Sequence, residues 1–161
     1  MGTFKIIRKT QTKSFSALGN TEQDRPVFID AVCDLVGYQN AIKRCHWSSP
    51  EMSNHEFLDE LWDETQEFTD TLVESTMGLF GQLIQIDEIK PTWVEVENSQ
   101  DLINKFNERM IAFHEEIPDG VYFSGIISLL EDFLQYLNQA RYMLSITKDN
   151  EEPGTPNSGG M

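Results

Sequence analysis

The chain has 161 residues, 39% of them hydrophobic, which suits a single domain with one core. No run approaches the roughly 18 apolar residues of a membrane-spanning helix, and residues 1–13 lack the apolar stretch of a secretory signal. Twelve basic against 27 acidic residues leave a net charge of −15, which repels nucleic acid from the body of the protein and attracts cations. Two cysteines, Cys33 and Cys45, are too few for a disulfide scaffold, so a reducing cytoplasm is the expected compartment.

The first segment, 1–23, reads as a basic arm. Lys5, Arg8, Lys9 and Lys13 precede the first acid, Glu22. The chain beyond residue 20 then holds eight basic residues against 27 acids, a net of −19. Such an arm suits weak contact with DNA phosphates or with an acidic patch on a partner.

Residues 24–148 read as four helices. The first is expected from about Pro26 to Ser48, with Phe28, Val32, Leu35, Gln39, Ile42 and His46 at three–four spacing and Asp24 as its cap. The second is expected from about Asn54 to Leu83, introduced by Ser53 and Glu56 as an S-x-x-E capping box. The third, from about Ser99 to Ile117, carries Leu102, Phe106, Met110 and Phe113 on one stripe and stops at Pro118-Asp119-Gly120. The fourth, from about Tyr122 to Thr147, turns Ile126, Leu130, Phe133, Leu137 and Leu144 inward. The alternation Trp93–Glu97 is assigned to a loop, and 149–161 reads as a disordered tail for want of large apolar residues before its end.

Short links make helices one and two antiparallel neighbours, and likewise helices three and four. Between helices two and three, Ile84 to Asn98 can reach about 50 Å at about 3.3 Å per residue, the length of a bundle. A loop that long is explained if it crosses the bundle and leaves helices two and three parallel, the ferritin-like variant of the all-α four-helix bundle.

Helix two concentrates the chemistry. With about 100° per residue and His55 at zero, Asp59, Asp70 and Glu74 fall between about 40° and 100°. Leu58, Leu61, Thr65, Phe68 and Leu72 form a core stripe between about 220° and 300°. Trp62, Gln66, Val73 and Met77 lie within about 40° of His55, so the ligand side is also partly apolar and suits a partner subunit. His55 and Asp59 are one turn apart, as are Asp70 and Glu74. The two pairs are separated by roughly 16 to 28 Å of helix, which no single ion spans. Two copies packed antiparallel about a twofold axis would bring the pair from one chain to the pair from the other and create two identical sites. His46 is near enough in the chain to join the His55 side.

The run His46-Trp47, His55-Glu56-Phe57-Leu58-Asp59 and Asp70-Thr71-Leu72-Val73-Glu74 resembles the ferroxidase segment of the Dps-type mini-ferritins. The H-x-x-x-D and D-x-x-x-E elements, the 11-residue step from Asp59 to Asp70 and the Trp after the first His carry the resemblance. It implies that His46, His55 and Asp59 of one subunit and Asp70 and Glu74 of its twofold mate bind iron, oxidise Fe2+ and store Fe3+ as mineral, protecting the cell or its DNA. It also implies that His55, Asp59, Asp70 and Glu74 are catalytic, and that dimers close into a larger shell, the dodecamer. The stretch between His46 and His55 is shorter than the family's and lacks its glycine, which leaves open whether His46 belongs to the set. No E-x-x-H occurs, so the intrachain di-iron site of full ferritins is not expected.

Blander readings exist for each residue. Asp59, Asp70 and Glu74 taken singly fit a solvated face, and His55 alone fits a helix start. Trp47 and Trp62 suit a core or an interface, with radical quenching a minor role for Trp62. Cys33 and Cys45 suit packing, and His114 suits the surface. Glu115, Glu116, Glu131 and Asp132 fit either ordinary solvation or the lining of a mineral cage. Two other functions compete with ferroxidase: a structural or interaction protein, viral or accessory, and DNA binding through the arm.

Overall fold

The computed structural model describes residues 21–149. The basic arm up to residue 20 and the tail from residue 150 lie outside them. Within this span there are four α-helices: α1 (Thr21–Ser48), α2 (Met52–Phe80), α3 (Ser99–Glu116) and α4 (Ser124–Asp149), the last entered through a 3-10 turn at Val121–Phe123. No strand occurs among the described residues, and none of their helices is long and apolar enough to cross a membrane.

The helical stripes pack as their spacing dictates. Phe28, Leu35 and Ile42 of α1, Leu58, Leu61 and Leu72 of α2, the α3 stripe and Leu130 and Leu137 of α4 are all fully buried. Aromatic rings knit the layers together. Tyr38 stacks on Phe106 at 4.3 Å, Phe68 on Phe133 at 4.1 Å, and Phe28 meets Phe80, Phe113 and Phe123 at the end of the molecule where α1 begins.

The boundaries depart from expectation at three places. α1 begins at Thr21, so Asp24 lies inside it rather than capping it, and Pro26 stands beyond its first turn. Pro26, the sixth residue, costs the helix the bond its amide would give to the Glu22 carbonyl, a loss confined to the second turn, and Glu22 and Asp24 complement the positive end of the helix. α2 begins at Met52, before Ser53, and no capping box forms. Glu51 is the cap, with extended backbone and no side-chain cap bond. The first turn closes instead through the His55 amide to the Glu51 carbonyl at 3.1 Å. α2 also ends earlier than expected, at Phe80. Gly81 adopts the left-handed conformation (φ 61°) and returns its amide to the Met77 carbonyl, a stop that glycine takes without steric cost.

After Gly81 the chain runs alongside α1 for its whole length. Arg25, near the start of α1, pairs with Glu88 and reaches the Leu83 carbonyl. The Lys90 amide donates to Cys33 Sγ at 3.3 Å, and the Thr92 amide donates to the Cys33 carbonyl at 3.1 Å. Near the end of α1, Arg44 donates to the Val94 carbonyl at 2.6 Å and lies over the Trp93 ring. Cys33 therefore serves as a docking point for this connection as well as a packing residue.

The segment delivers the chain to the start of α3, where Asn98 caps the Asp101 amide and Asn54 of α2 donates to Ser99 at 3.1 Å. Because α2 and α3 start together there and both end near Phe28, they run parallel, with α1 and α4 running the opposite way.

Candidate metal centre

The link between α1 and α2 is only Ser49-Pro50-Glu51. So short a link folds the last turn of α1 against the first turns of α2, and three of the five candidate residues meet there. The His46 and His55 rings stand edge-to-face with centroids 4.5 Å apart. His46 Nε2 lies 3.2 Å from Asp59 Oδ2. The shortened link thus places His46 beside His55 and Asp59. His46 is largely covered, with 20% of its side chain exposed, while Asp59 is half exposed.

The second oxygen of Asp59 is occupied by a residue that the sequence did not single out. Lys43 Nζ lies 3.3 Å from Asp59 Oδ1, and the same ammonium sits 4.3 Å from the centre of the Trp62 ring. The Asp59 carboxyl is held below its ordinary range, chiefly by the Lys43 hydrogen bond against the cost of partial desolvation, with His46 adding to the lowering. Lys43 is one helical turn before His46 and so shares its face of α1. That spacing was legible, but its pairing with Asp59 required the register between two helices.

His46 Nδ1 is buried and has no hydrogen-bond partner among the described residues. In the tautomer that places the proton on Nε2, towards Asp59, Nδ1 keeps a lone pair that no described residue uses. Imidazole nitrogens and carboxylate oxygens together are donors suited to Fe2+ and to other first-row divalent ions. Cys45, the residue before His46, is half-buried, and burial pushes its thiol up.

Asp70 and Glu74 are not brought to this cluster. α2 is unbroken from Met52 to Phe80, so they stand on its exposed surface roughly 16 to 28 Å along the helix from Asp59 and His55. Among the described residues no three His, Cys, Asp or Glu side chains are placed to hold a metal ion within one chain. Trp62, Val73 and Met77, on the same side of α2, are half-buried, and Trp62 and Val73 pack on the rim of the core.

Other candidates fall elsewhere. Trp47 is 73% exposed and therefore no part of the core. His114 is half-exposed and faces Glu131 at 3.2 Å, away from α2. Glu115, Glu116, Glu131 and Asp132 are exposed, and Glu116 pairs with Arg109. A cavity of about 1170 Å³ opens where Asn54, Phe57, Ser99 and Tyr136 meet, and none of the five candidate residues lines it.

No curated protein and no solved structure matches this chain. The profile of one protein family matches residues 46–144, more than half of the chain, from His46 through His55, Asp59, Asp70 and Glu74 of α2 and into α4. The chain belongs to that family, DUF5856, a family of unknown function.

Proposed function

We propose that this protein binds Fe2+ as a substrate and oxidises it at a site shared between two copies, in the manner of a ferritin-like mini-ferritin. One observation carries the reading: His46, His55 and Asp59 converge at the α1–α2 corner, with 4.5 Å between the rings and 3.2 Å from imidazole to carboxylate. Asp70 and Glu74 lie too far along the same helix to join them in one chain. A twofold mate whose α2 runs antiparallel supplies its own Asp70 and Glu74 and completes two equal sites. The parallel run of α2 and α3, with a long connection beside α1, supports the ferritin-like assignment.

In this site the residues have separate tasks. The imidazoles give neutral nitrogen donors suited to Fe2+. The carboxylates offset the charge gained on oxidation and favour Fe3+. Each Fe2+ gives up one electron. A peroxide accepts two, its O–O bond breaks, and with two protons it leaves as two waters, so two ferrous ions are consumed per peroxide. Dioxygen is the other oxidant with the right chemistry. Closed into a shell, chains of net charge −15 each would draw in Fe2+ and hold a ferric mineral.

The test is Fe2+ added to the chelator-free protein, followed by near-ultraviolet absorbance of ferric product. Oxidation faster than in buffer, lost in Asp59→Asn, is the expected result. The Lys43–Asp59 ion pair favours a second reading, a helical interaction protein whose acidic α2 face is structural. A stable oligomer that takes up no iron would establish that reading instead. A salt-sensitive DNA shift would point to the arm, outside the described residues.

A further inference from the structure

α2 carries no Lys or Arg against eight carboxylates between Glu56 and Glu74, and the cation that answers them at the α1–α2 corner comes from α1. Lys43 Nζ is 3.3 Å from Asp59 Oδ1 and 4.3 Å from the Trp62 ring centre, while His46 Nε2 takes Asp59 Oδ2 at 3.2 Å. Both oxygens of the carboxylate that meets the His46 imidazole are therefore engaged by this chain itself. Arg44, the neighbouring cation, is turned away towards Val94 and Trp93. We propose that Lys43 is a tethered stand-in cation: it holds Asp59 in place while the site lacks a divalent ion, and an arriving ion must displace it. The inference rests on the metal-binding reading above and names the residue that sets the affinity and charge selectivity of that site.

The physics of the exchange follows from the geometry. An ion pair with Asp59 half exposed and Lys43 29% exposed is weak and screened, so it yields to a divalent ion that gains both carboxylate and imidazole donors. A monovalent ion brings the same charge as the ammonium, lacks the tether and binds imidazole poorly, so it does not displace Lys43. The tether also decides where the ammonium goes. The Trp62 face already carries it on one side, and the exposed carboxylates of α2 lie beyond. Displacement alters the cation on the indole, so Trp62 emission reports the exchange.

The experiment uses the full chain as it assembles, with Zn2+ as a redox-silent probe followed by calorimetry and tryptophan emission. Lys43→Met keeps the stem against Trp62 and removes the charge, while Lys43→Arg keeps the charge. Lys43→Met is expected to bind Zn2+ about two- to fivefold more tightly, the factor that an exposed ion pair represents. Lys43→Arg should bind like the original. Zn2+ should change tryptophan emission in the original chain, and not in Lys43→Met or Trp62→Phe. Unchanged or weaker binding by Lys43→Met, in a protein whose Zn2+ binding is lost in Asp59→Asn, overturns the stand-in role and leaves the metal site standing. Absence of any Asp59-dependent Zn2+ binding in all variants overturns both.

Discussion

Gly37 and Thr92 touch backbone to backbone: a Cβ on Gly37 would stand 2.1 Å from the Thr92 carbonyl oxygen. Gly37 lies within α1, where alanine is ordinarily the more stable residue. Here the connection between α2 and α3 takes the space that the methyl group needs, and the clashing atom is backbone, which cannot swing aside. Gly37→Ala is therefore expected to destabilise by about 1–3 kcal/mol, against the helix-propensity trend. Denaturant unfolding should show a lower midpoint with an unchanged slope. A variant as stable as the original would mean that the connection is not seated on α1.

The same connection is pinned at its other end by Arg25 and Glu88. The guanidinium of Arg25, with the Gln85 amide, holds the Glu88 carboxyl down to about 2. A carboxyl lowered in the folded state contributes stability above its ordinary range and loses that contribution as pH falls towards its folded value. The melting temperature of the original chain should thus exceed that of Glu88→Gln at neutral pH, with the gap closing between about pH 4.5 and 2. A gap that stays constant through this window would remove Glu88 from the acid response.

The shared site makes a prediction that single variants do not. His55→Ala/Asp59→Ala and Asp70→Ala/Glu74→Ala should each oxidise Fe2+ slowly, because every twofold site is half destroyed. Unfolded and refolded together, half of the dimers are mixed, and each mixed dimer holds one complete site of its two. About a quarter of the original activity should return. No recovery on mixing, while the refolded original is fully active, would refute a site built from two chains.

Trp62, Val73 and Met77 share the side of α2 that carries the acidic pairs, and each is half-buried in the single chain. If a second copy covers them, replacing the indole with a carboxylate removes apolar contact area and puts an ionised group into the interface. Trp62→Glu is expected to shift the solution mass, read by light scattering, towards the monomer. An oligomer of unchanged mass would place the interface elsewhere.

Much of this molecule could be read from spacing alone. The four stripes, from Phe28 to Leu144, lie inward because helix periodicity is local and depends only on which residues sit three and four apart. The distance that keeps Asp59 from Asp70 is equally local, since an unbroken helix fixes its own rise. Helix ends were less legible. The S-x-x-E pattern at Ser53 gave no capping box, because the three-residue link starts α2 two positions earlier. What only the tertiary structure decided is the register of α1 against α2. That register sets His46 against His55, puts Lys43 on Asp59 and Trp62, and seats Thr92 on Gly37. It depends on how two helical surfaces interdigitate across the core, a sum over many side chains far apart in sequence, which no pattern within either helix records.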